Sequence, residues 1–77
     1  MRPISRAFYR AFTKTFGLPP YQYVLQLRLS EAERLLLQAD VPIVEVAYLC
    51  GFSSQSHLTT TMKRHKHITP AQIRAGQ

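Results

Sequence analysis

Residues 43–62 read IVEVAYLCGFSSQSHLTTTM, and their local chemistry predicts two short helices joined by a tight turn. Apolar residues recur at the i, i+3, i+4, i+7 spacing of one buried helix face, at Ile43, Val46, Ala47 and Cys50. Gly51 can adopt the left-handed conformation that ends a helix, and Phe52 can fold back as the apolar plug of the turn. Ser53 or Ser54 can then cap a second helix by accepting a hydrogen bond from a free backbone N–H.

The second helix of the pair, from about Ser54 to His65, is expected to expose neutral hydrogen-bonding groups. Its outward positions carry small polar side chains where most surface helices carry Glu and Lys, namely Gln55, Ser56, Thr59 and Thr60. Leu58 and Met62 are expected to face inward. A helix, a glycine turn and a second helix with such a face are typical of a helix-turn-helix that reads DNA.

Two more helices are predicted before this unit. Residues 4–16 form the first, which ends at Gly17 and carries an apolar stripe of Ala7, Phe8, Ala11, Phe12 and Phe16. Residues 20–38 form the longest helix, in which Pro20 suits the first turn because its missing N–H is not needed there. The apolar face of this helix is expected to comprise Tyr21, Val24, Leu25, Ala32, Leu35 and Leu36. Leu27 and Leu29 widen that face, so we expect the helix to pack on both sides.

A short last helix is predicted after the cap Thr69 and the first-turn Pro70, with Ile73 tucked in and Arg74 pointing outward. No segment alternates apolar and polar residues as a half-buried strand does. We therefore expect an all-α fold of about five helices, with one complete helix-turn-helix at residues 43–65.

The charge of the chain indicates a polyanionic partner. The 77 residues carry a formal net charge of +6 at pH 7, and the sequence pI is near 10.1. All the acidic residues lie between Glu31 and Glu45, so two basic ends flank a nearly neutral middle. A surface charged only for solubility would intersperse the two signs, whereas two contact points on one long polyanion would produce this pattern.

Several classes of protein are disfavoured by the sequence. No run approaches the roughly 18 apolar residues of a membrane span, and no signal peptide is visible, so we expect no membrane partner. A single cysteine rules out an internal disulfide and fits a reducing cytosol, which predicts a cytoplasmic location. An enzyme is disfavoured because the sequence shows no acid pair, no Ser/His/Asp set, no phosphate loop and no metal-ligand spacing.

Three motifs follow one another along the chain: FGLPPYQYVLQLRLSEAERLLL at 16–37, IVEVAYLCGFSSQSHL at 43–58 and ITPAQIR at 68–74. Together they resemble the DNA-binding domain of AraC/XylS-type bacterial transcription regulators. The resemblance implies a single domain over residues 1–77, with recognition helices at 4–16 and 54–65 and a linker helix at 20–38. It further implies that the chain binds double-stranded DNA as a transcription regulator, or as a fragment of one, with RNA polymerase as a further partner.

The resemblance also implies which residues touch DNA. Bases would be contacted by Arg6, Tyr9 and Arg10 in the first recognition helix, and by Gln55, Ser56, Thr59 and Thr60 in the second. Phosphates would be held by Ser54, Lys63 and Arg64 together with the N-terminal amides of the helices. The chemistry is suitable, because Arg can pair with guanine O6 and N7, Gln with adenine N6 and N7, and a Thr methyl with the thymine methyl.

The chain departs from the family pattern in four respects. The family's domain begins with two further helices, so we expect this chain to lack the scaffold helix of its first helix-turn-helix and to be N-terminally truncated. The usual serine cap before the linker helix is Pro19, which has no hydroxyl. A frequently basic position in the second recognition helix is Thr60. The usual glycine before the last helix is His67, which must then tolerate a positive φ.

A protein-interaction module is the alternative interpretation. The stripe formed by Phe8, Phe12 and Phe16 would then bind a partner or a second copy of the chain, and DNA binding would be vestigial. No cofactor and no metal is expected in either case. Cys50 is expected to be a small buried hydrophobe. The histidines at 57, 65 and 67 are expected to be solvated or beside phosphates, since His65 and His67 do not share a helix face.

Overall fold

The computed structural model describes residues 5–38 and 40–76, and within these ranges it contains five α-helices and no strand. The helices are α1 (Arg6–Phe16), α2 (Pro20–Leu36), α3 (Ile43–Leu49), α4 (Gln55–Lys66) and α5 (Pro70–Arg74). The predicted all-α fold is therefore confirmed. The expected start of the first helix at residue 4 lies outside the described residues, and α2 ends at Leu36 rather than at residue 38.

One hydrophobic core lies between α2, α3, α4 and α5. Its buried members are Leu29, Ala32, Leu36, Val46, Ala47, Cys50, Phe52, Leu58, Met62 and Ile73. The apolar faces predicted for α3 and α4 are confirmed, as is the inward position of Ile73. Of the helices in the described part of the chain, none is both long and apolar enough to cross a membrane.

The buried face of α2 is narrower than the sequence predicts. Tyr21, Val24 and Leu27 are exposed, so the expectation that they belong to a buried face is wrong. The reason is that α3 and α5 pack where Leu29 and Leu36 enter the core, in the C-terminal half of α2. The N-terminal half of the helix is left with an exposed apolar flank. α2 does pack on more than one side, against α1 as well as against α3 and α5.

α1 packs on α2 through aromatic rings and has no fully buried residue. The Phe12 and Phe16 rings lie 4.5 Å apart, and each also contacts Tyr23 of α2, at 5.4 and 5.1 Å between ring centroids. Phe8 extends the stack, with its ring 5.9 Å from that of Phe12. Phe8 remains 52% exposed and Phe16 50% exposed, so α2 covers only half of the aromatic stripe.

Arg74 points back across the fold, which corrects the predicted outward direction. Its Nε donates to the carbonyl oxygen of Leu36 at 3.2 Å, and its Nη2 donates to that of Gln38 at 3.1 Å. A longer bond of 3.5 Å reaches the carbonyl of Leu35. The last carbonyls of a helix have no partner within the helix, so the guanidinium of α5 caps the C-terminus of α2 and ties the two ends of the core together.

Candidate nucleic-acid interface

The turn between α3 and α4 is a Schellman motif, which fixes the angle between the two helices. Gly51 has φ +87° and donates its N–H to the carbonyl of Tyr48 at 3.1 Å. Phe52 donates to the carbonyl of Ala47 at 2.9 Å, and its side chain is buried. These are the two reverse bonds of the motif. The left-handed glycine and the apolar plug predicted from the sequence are confirmed.

Ser54 begins α4 as its N-cap. The Oγ of Ser54 accepts a hydrogen bond from the backbone N–H of His57 at 3.0 Å, which resolves the choice between Ser53 and Ser54. Leu58 and Met62 are fully buried against the rest of the core. α4 is therefore held at its first turn by the cap and along its length by two apolar side chains.

The outward face of α4 brings four of the predicted base-contacting residues together. A shallow depression of about 340 Å³ is lined by Gln55, Ser56, Thr59 and Thr60. Gln55, Ser56 and Thr60 are exposed and Thr59 is half-buried, so none of the four is turned into the core. Together they offer amide and hydroxyl groups that can both donate and accept hydrogen bonds.

The predicted phosphate-contacting residues lie at the two ends of α4. Ser54 is at the N-terminus, with its Oγ already accepting the capping bond. Lys63 and Arg64 are exposed in the last turn. Lys66 follows them but is ion-paired to Glu33 of α2, at 3.6 Å. Cations in the last turn also complement the partial negative charge of a helix C-terminus.

The remaining predicted base-contacting residues form a separate surface on α1. Arg6, Tyr9 and Arg10 are all exposed there, on the helix that packs against α2. Ser5 caps this helix by accepting from the N–H of Phe8 at 3.1 Å. The structure thus places the predicted residues in two groups, on α1 and α4. α2 connects the two groups, because it packs on α1 and shares the hydrophobic core with α4.

Two residues near α4 have contacts that the sequence analysis missed. The Nδ1 of His57 accepts from the backbone N–H of Ser53 at 3.1 Å, and its ring lies edge-on to Phe52 at 5.2 Å. It is exposed, as expected, but it also braces the turn. Arg28 of α2 lies over the same turn, since a Cβ built on Gly51 would be 3.0 Å from its Nε. No local sequence signal links positions so far apart.

The last helix begins with a capping box, which the sequence could have predicted. Thr69 and Gln72 form a capping box: Thr69 Oγ1 accepts from the N–H of Gln72 at 3.1 Å, and Gln72 Oε1 accepts from that of Thr69 at 2.9 Å. The spacing Thr-x-x-Gln is its sequence signature. His67, just before, has φ +61°, which confirms the expected left-handed conformation.

Two further features lie at the back of this unit, the Glu31–Arg34 ion pair and the buried Cys50 thiol. The Arg34 side chain hydrogen-bonds to the Glu31 carboxylate and lowers the pKa of that carboxyl. Burial raises the pKa of the Cys50 thiol, which favours its protonated form. Among residues 5–38 and 40–76, no group of three or more His, Cys, Asp or Glu side chains could hold a metal ion.

Comparison with known proteins places the chain in a family. The family model described as a helix-turn-helix domain matches residues 5–76. The HTH-type transcriptional activator RhaS of Escherichia coli is 35% identical over 72 residues, which cover 94% of this chain and 26% of that protein. The chain therefore spans about a quarter of the length of these curated relatives.

A solved structure shows the same fold. It is that of a transcriptional regulator from Chromobacterium violaceum, described as a protein with an AraC-type DNA-binding domain. The two chains superpose with a TM-score of 0.83 at 41% sequence identity, over 91% of this chain and 62% of the other. With the three sequence motifs and the two-helix unit at residues 43–66, these matches show that the chain belongs to the AraC/XylS-type family of helix-turn-helix DNA-binding domains.

Proposed function

We propose that residues 1–77 act as one domain that binds double-stranded DNA in a sequence-specific manner and serves a transcription regulator. The observation that supports this most is the outward face of α4. Gln55, Ser56 and Thr60 are exposed on one helix whose opposite side is fixed in the core by Leu58 and Met62. A rigid helix with neutral hydrogen-bonding groups suits the major groove, where each base pair presents a distinct pattern of donors and acceptors.

Base readout by α4 follows from the chemistry of its outward side chains. The Gln55 amide can pair with adenine N6 and N7, and the methyl of Thr59 or Thr60 can contact a thymine methyl. Ser56 adds a hydroxyl that suits either a donor or an acceptor on a base edge. Each good bidentate pair discriminates against a wrong base by about 1–3 kcal/mol.

Phosphate contacts would set the register of α4 in the groove. The Ser54 Oγ accepts the capping bond, which leaves its hydroxyl hydrogen free to donate to a phosphate oxygen. Lys63 and Arg64, exposed in the last turn, would anchor a phosphate at the other end. Such contacts supply affinity and orientation but carry no sequence information themselves.

α1 is proposed as the second reading helix, with Arg6, Tyr9 and Arg10 directed at bases. The molecule is 43 Å in its longest dimension. Successive major grooves on one side of a duplex are about 34 Å apart, so one chain is long enough to reach both. This arrangement accounts for a basic region at each end of the chain with the acidic residues between them.

A mobility-shift experiment on the full chain tests the proposal. Duplexes about two helical turns long with a randomised centre are selected through repeated rounds of binding, and the bound pool is sequenced. We expect a consensus to emerge and affinity to fall steeply with salt, with a log–log slope of about −0.9 per neutralised phosphate. A pool that stays random would contradict sequence-specific binding, and the absence of any shift at low salt would contradict DNA binding altogether.

The wider role is inferred from the relatives. RhaS is named as a transcriptional activator and the solved neighbour as a transcriptional regulator. By analogy, this chain acts without catalysis in the cytoplasm, and it contacts RNA polymerase when it is bound near a promoter. Pull-down of purified polymerase on promoter DNA, with and without the chain, checks that contact.

Self-association is a second candidate function, favoured by the half-exposed aromatic stripe on α1. Phe8 and Phe16 present apolar surface beside basic side chains on a helix that has no buried residue. Exposed apolar patches rimmed by polar residues mark interaction sites. Sedimentation at rising concentration should show a dimer that is lost in a Phe8→Ser/Phe16→Ser variant, whereas a monomer at all concentrations would contradict this function.

A further inference from the structure

An apolar groove runs along the exposed flank of α2 and is not used by the proposed DNA-reading surfaces. A cavity of about 410 Å³ is lined chiefly by Tyr21, Val24, Leu25 and Phe52, with Arg28 and His57. A second cavity of about 360 Å³ continues past Leu27 to Leu49 and Cys50, with Glu31 at its far end. The two adjoin, because Val24 and Arg28 line both.

The groove has the dimensions of a docked helix. Its lining on α2 extends from Pro20 to Glu31, which is about 17 Å at 1.5 Å per residue, the length of a helix of about three turns. Tyr21, Val24 and Leu27 recur every third residue, so they form an exposed ridge along α2. A second helix can pack beside such a ridge at an axial distance of about 8–10 Å.

The charge of the groove indicates which charge the docked helix should carry on either side of its apolar face. Arg28 is exposed at the junction of the two cavities, and among the described residues it makes no salt bridge and no side-chain hydrogen bond. Glu31, at one end, already pairs with Arg34 on the same helix. The only unpaired charge over the middle of the groove in the described part of the chain is therefore positive, on a chain of net charge +6.

We propose that this groove docks an acidic amphipathic α-helix from a partner protein. Apolar side chains spaced i, i+3/i+4 and i+7 fill the two cavities, which is the helix-in-groove mode of recognition. A carboxylate near the middle of the partner helix pairs with Arg28. Leu27 and Leu49 form the walls of the second cavity and become covered when the helix binds.

The test uses the full chain and hydrocarbon-stapled peptides of about 12 residues, because short free helices are marginal in water. One set carries Leu, Ile or Phe on one face and Glu on the flanks, and its matched set carries Lys on the flanks. Binding is followed by fluorescence anisotropy and mapped by NMR shifts of the labelled chain. We expect the Glu peptides to bind at least about tenfold more tightly than the Lys peptides, with shifts centred on residues 21–31 and 49–52.

Matched surface variants separate the groove from simple charge attraction. Leu49 is 66% exposed inside the groove and Leu37 is 68% exposed outside it, so neither substitution should unfold the chain. We expect Leu49→Ser to weaken binding of the Glu peptides at least about tenfold, because the apolar side chains of the peptide that fill the second cavity lose their contact with Leu49. Leu37→Ser should leave binding unchanged. Arg28→Gln should remove the preference for Glu over Lys flanks, and Arg28→Lys should restore it.

Four results would overturn the proposal. Equal binding by the Leu49→Ser and Leu37→Ser variants would mean attraction by net charge alone. Failure of every Glu peptide to exceed its Lys counterpart would remove the acidic helix as the occupant. Loss of duplex affinity in Leu49→Ser would show that the groove faces DNA. Conversion of a dimer to a monomer in that variant, without peptide, would show that a second copy occupies the groove.

Discussion

At Gly51 two separate physical effects disfavour a side chain. The residue has φ +87°, and a left-handed conformation costs an L-residue other than glycine about 1–2 kcal/mol. An added Cβ would also meet Arg28 Nε at 3.0 Å. Gly17 offers a matched control, because it has φ +79° but no atom within 4 Å of such a Cβ.

We therefore predict that Gly51→Ala destabilises the chain more than Gly17→Ala. The Gly17→Ala cost should be about 1–2 kcal/mol in urea unfolding, since only the backbone conformation contributes there. In an Arg28→Ala background the cost of Gly51→Ala should fall towards that value, because the close approach of the arginine has been removed. An unchanged cost in that background would mean that Arg28 does not constrain the turn.

Gln55 is the residue at which base readout should be most visible. We predict that Gln55→Ala lowers discrimination at one or two base positions by about 1–3 kcal/mol and leaves non-specific affinity intact, because phosphate contacts do not depend on the amide. Competition binding against single-base variants of the selected duplex measures this. Equal loss of affinity on all sequences would show that Gln55 is not a base reader.

At the scale of the helices, the stability of the α3–α4 unit depends on close packing between its two helices. We predict that Ala47→Glu unfolds this unit, because it buries an unpaired charge at a fully buried site, at a cost of roughly 3–5 kcal/mol. Val44→Glu, on the exposed side of the same helix, should change stability by less than about 0.5 kcal/mol. Thermal melts followed by far-UV circular dichroism compare the two, and similar melts would refute the packing.

At this scale the sequence predicts those features that depend only on residues close together in the chain, such as helix ends and caps. The end of α3, the capping of α4 and the start of α5 follow from Gly51, Ser54 and Thr69, whose preferences act within a few residues. Exposure of Leu27 could not be predicted in this way, because it depends on which flank of α2 its neighbours cover. For the same reason the predicted direction of Arg74 is wrong, since its acceptors are 36 to 39 residues away along the chain.

In the candidate site, too, some features follow from the local sequence and others depend on tertiary contacts. The outward positions of Gln55, Ser56 and Thr60 follow from the spacing of Leu58 and Met62 within one helix. The position of Arg28 over the turn depends on a contact between α2 and the α3–α4 turn, which the pattern of one helix does not specify. Periodicity therefore predicts which face of a helix looks outward, and the tertiary structure determines what stands beside it.

At the scale of the whole molecule, Arg74 joins the last helix to the end of α2. We predict that Arg74→Met destabilises the chain by about 1.5–3 kcal/mol, because the carbonyls of Leu36 and Gln38 lose a charged donor. Arg74→Lys should recover only part of this, since an ammonium cannot span both acceptors as the planar guanidinium does. Arg64→Met, at an exposed site, should have little effect in the same urea titration, and a destabilisation there equal to that of Arg74→Met would contradict this role.

The separation of the basic residues into two ends makes a prediction about the whole chain on DNA. If both ends rest on one duplex, Lys63→Ala/Arg64→Ala should lower the magnitude of the log–log salt slope by about 1.8, at about 0.9 for each phosphate that is no longer neutralised. Arg6→Ala/Arg10→Ala should also lower it, because arginines that reach base edges bring their charge between the phosphate strands of the groove and release counterions as well. The combined variant should show the sum, because the two groups lie on separate helices and act independently. Lys66→Ala is the control and should change the slope less, since its ammonium is already paired with Glu33. A slope that responds to the α4 variant but not to the α1 variant would show that only one end of this 43 Å molecule touches the duplex.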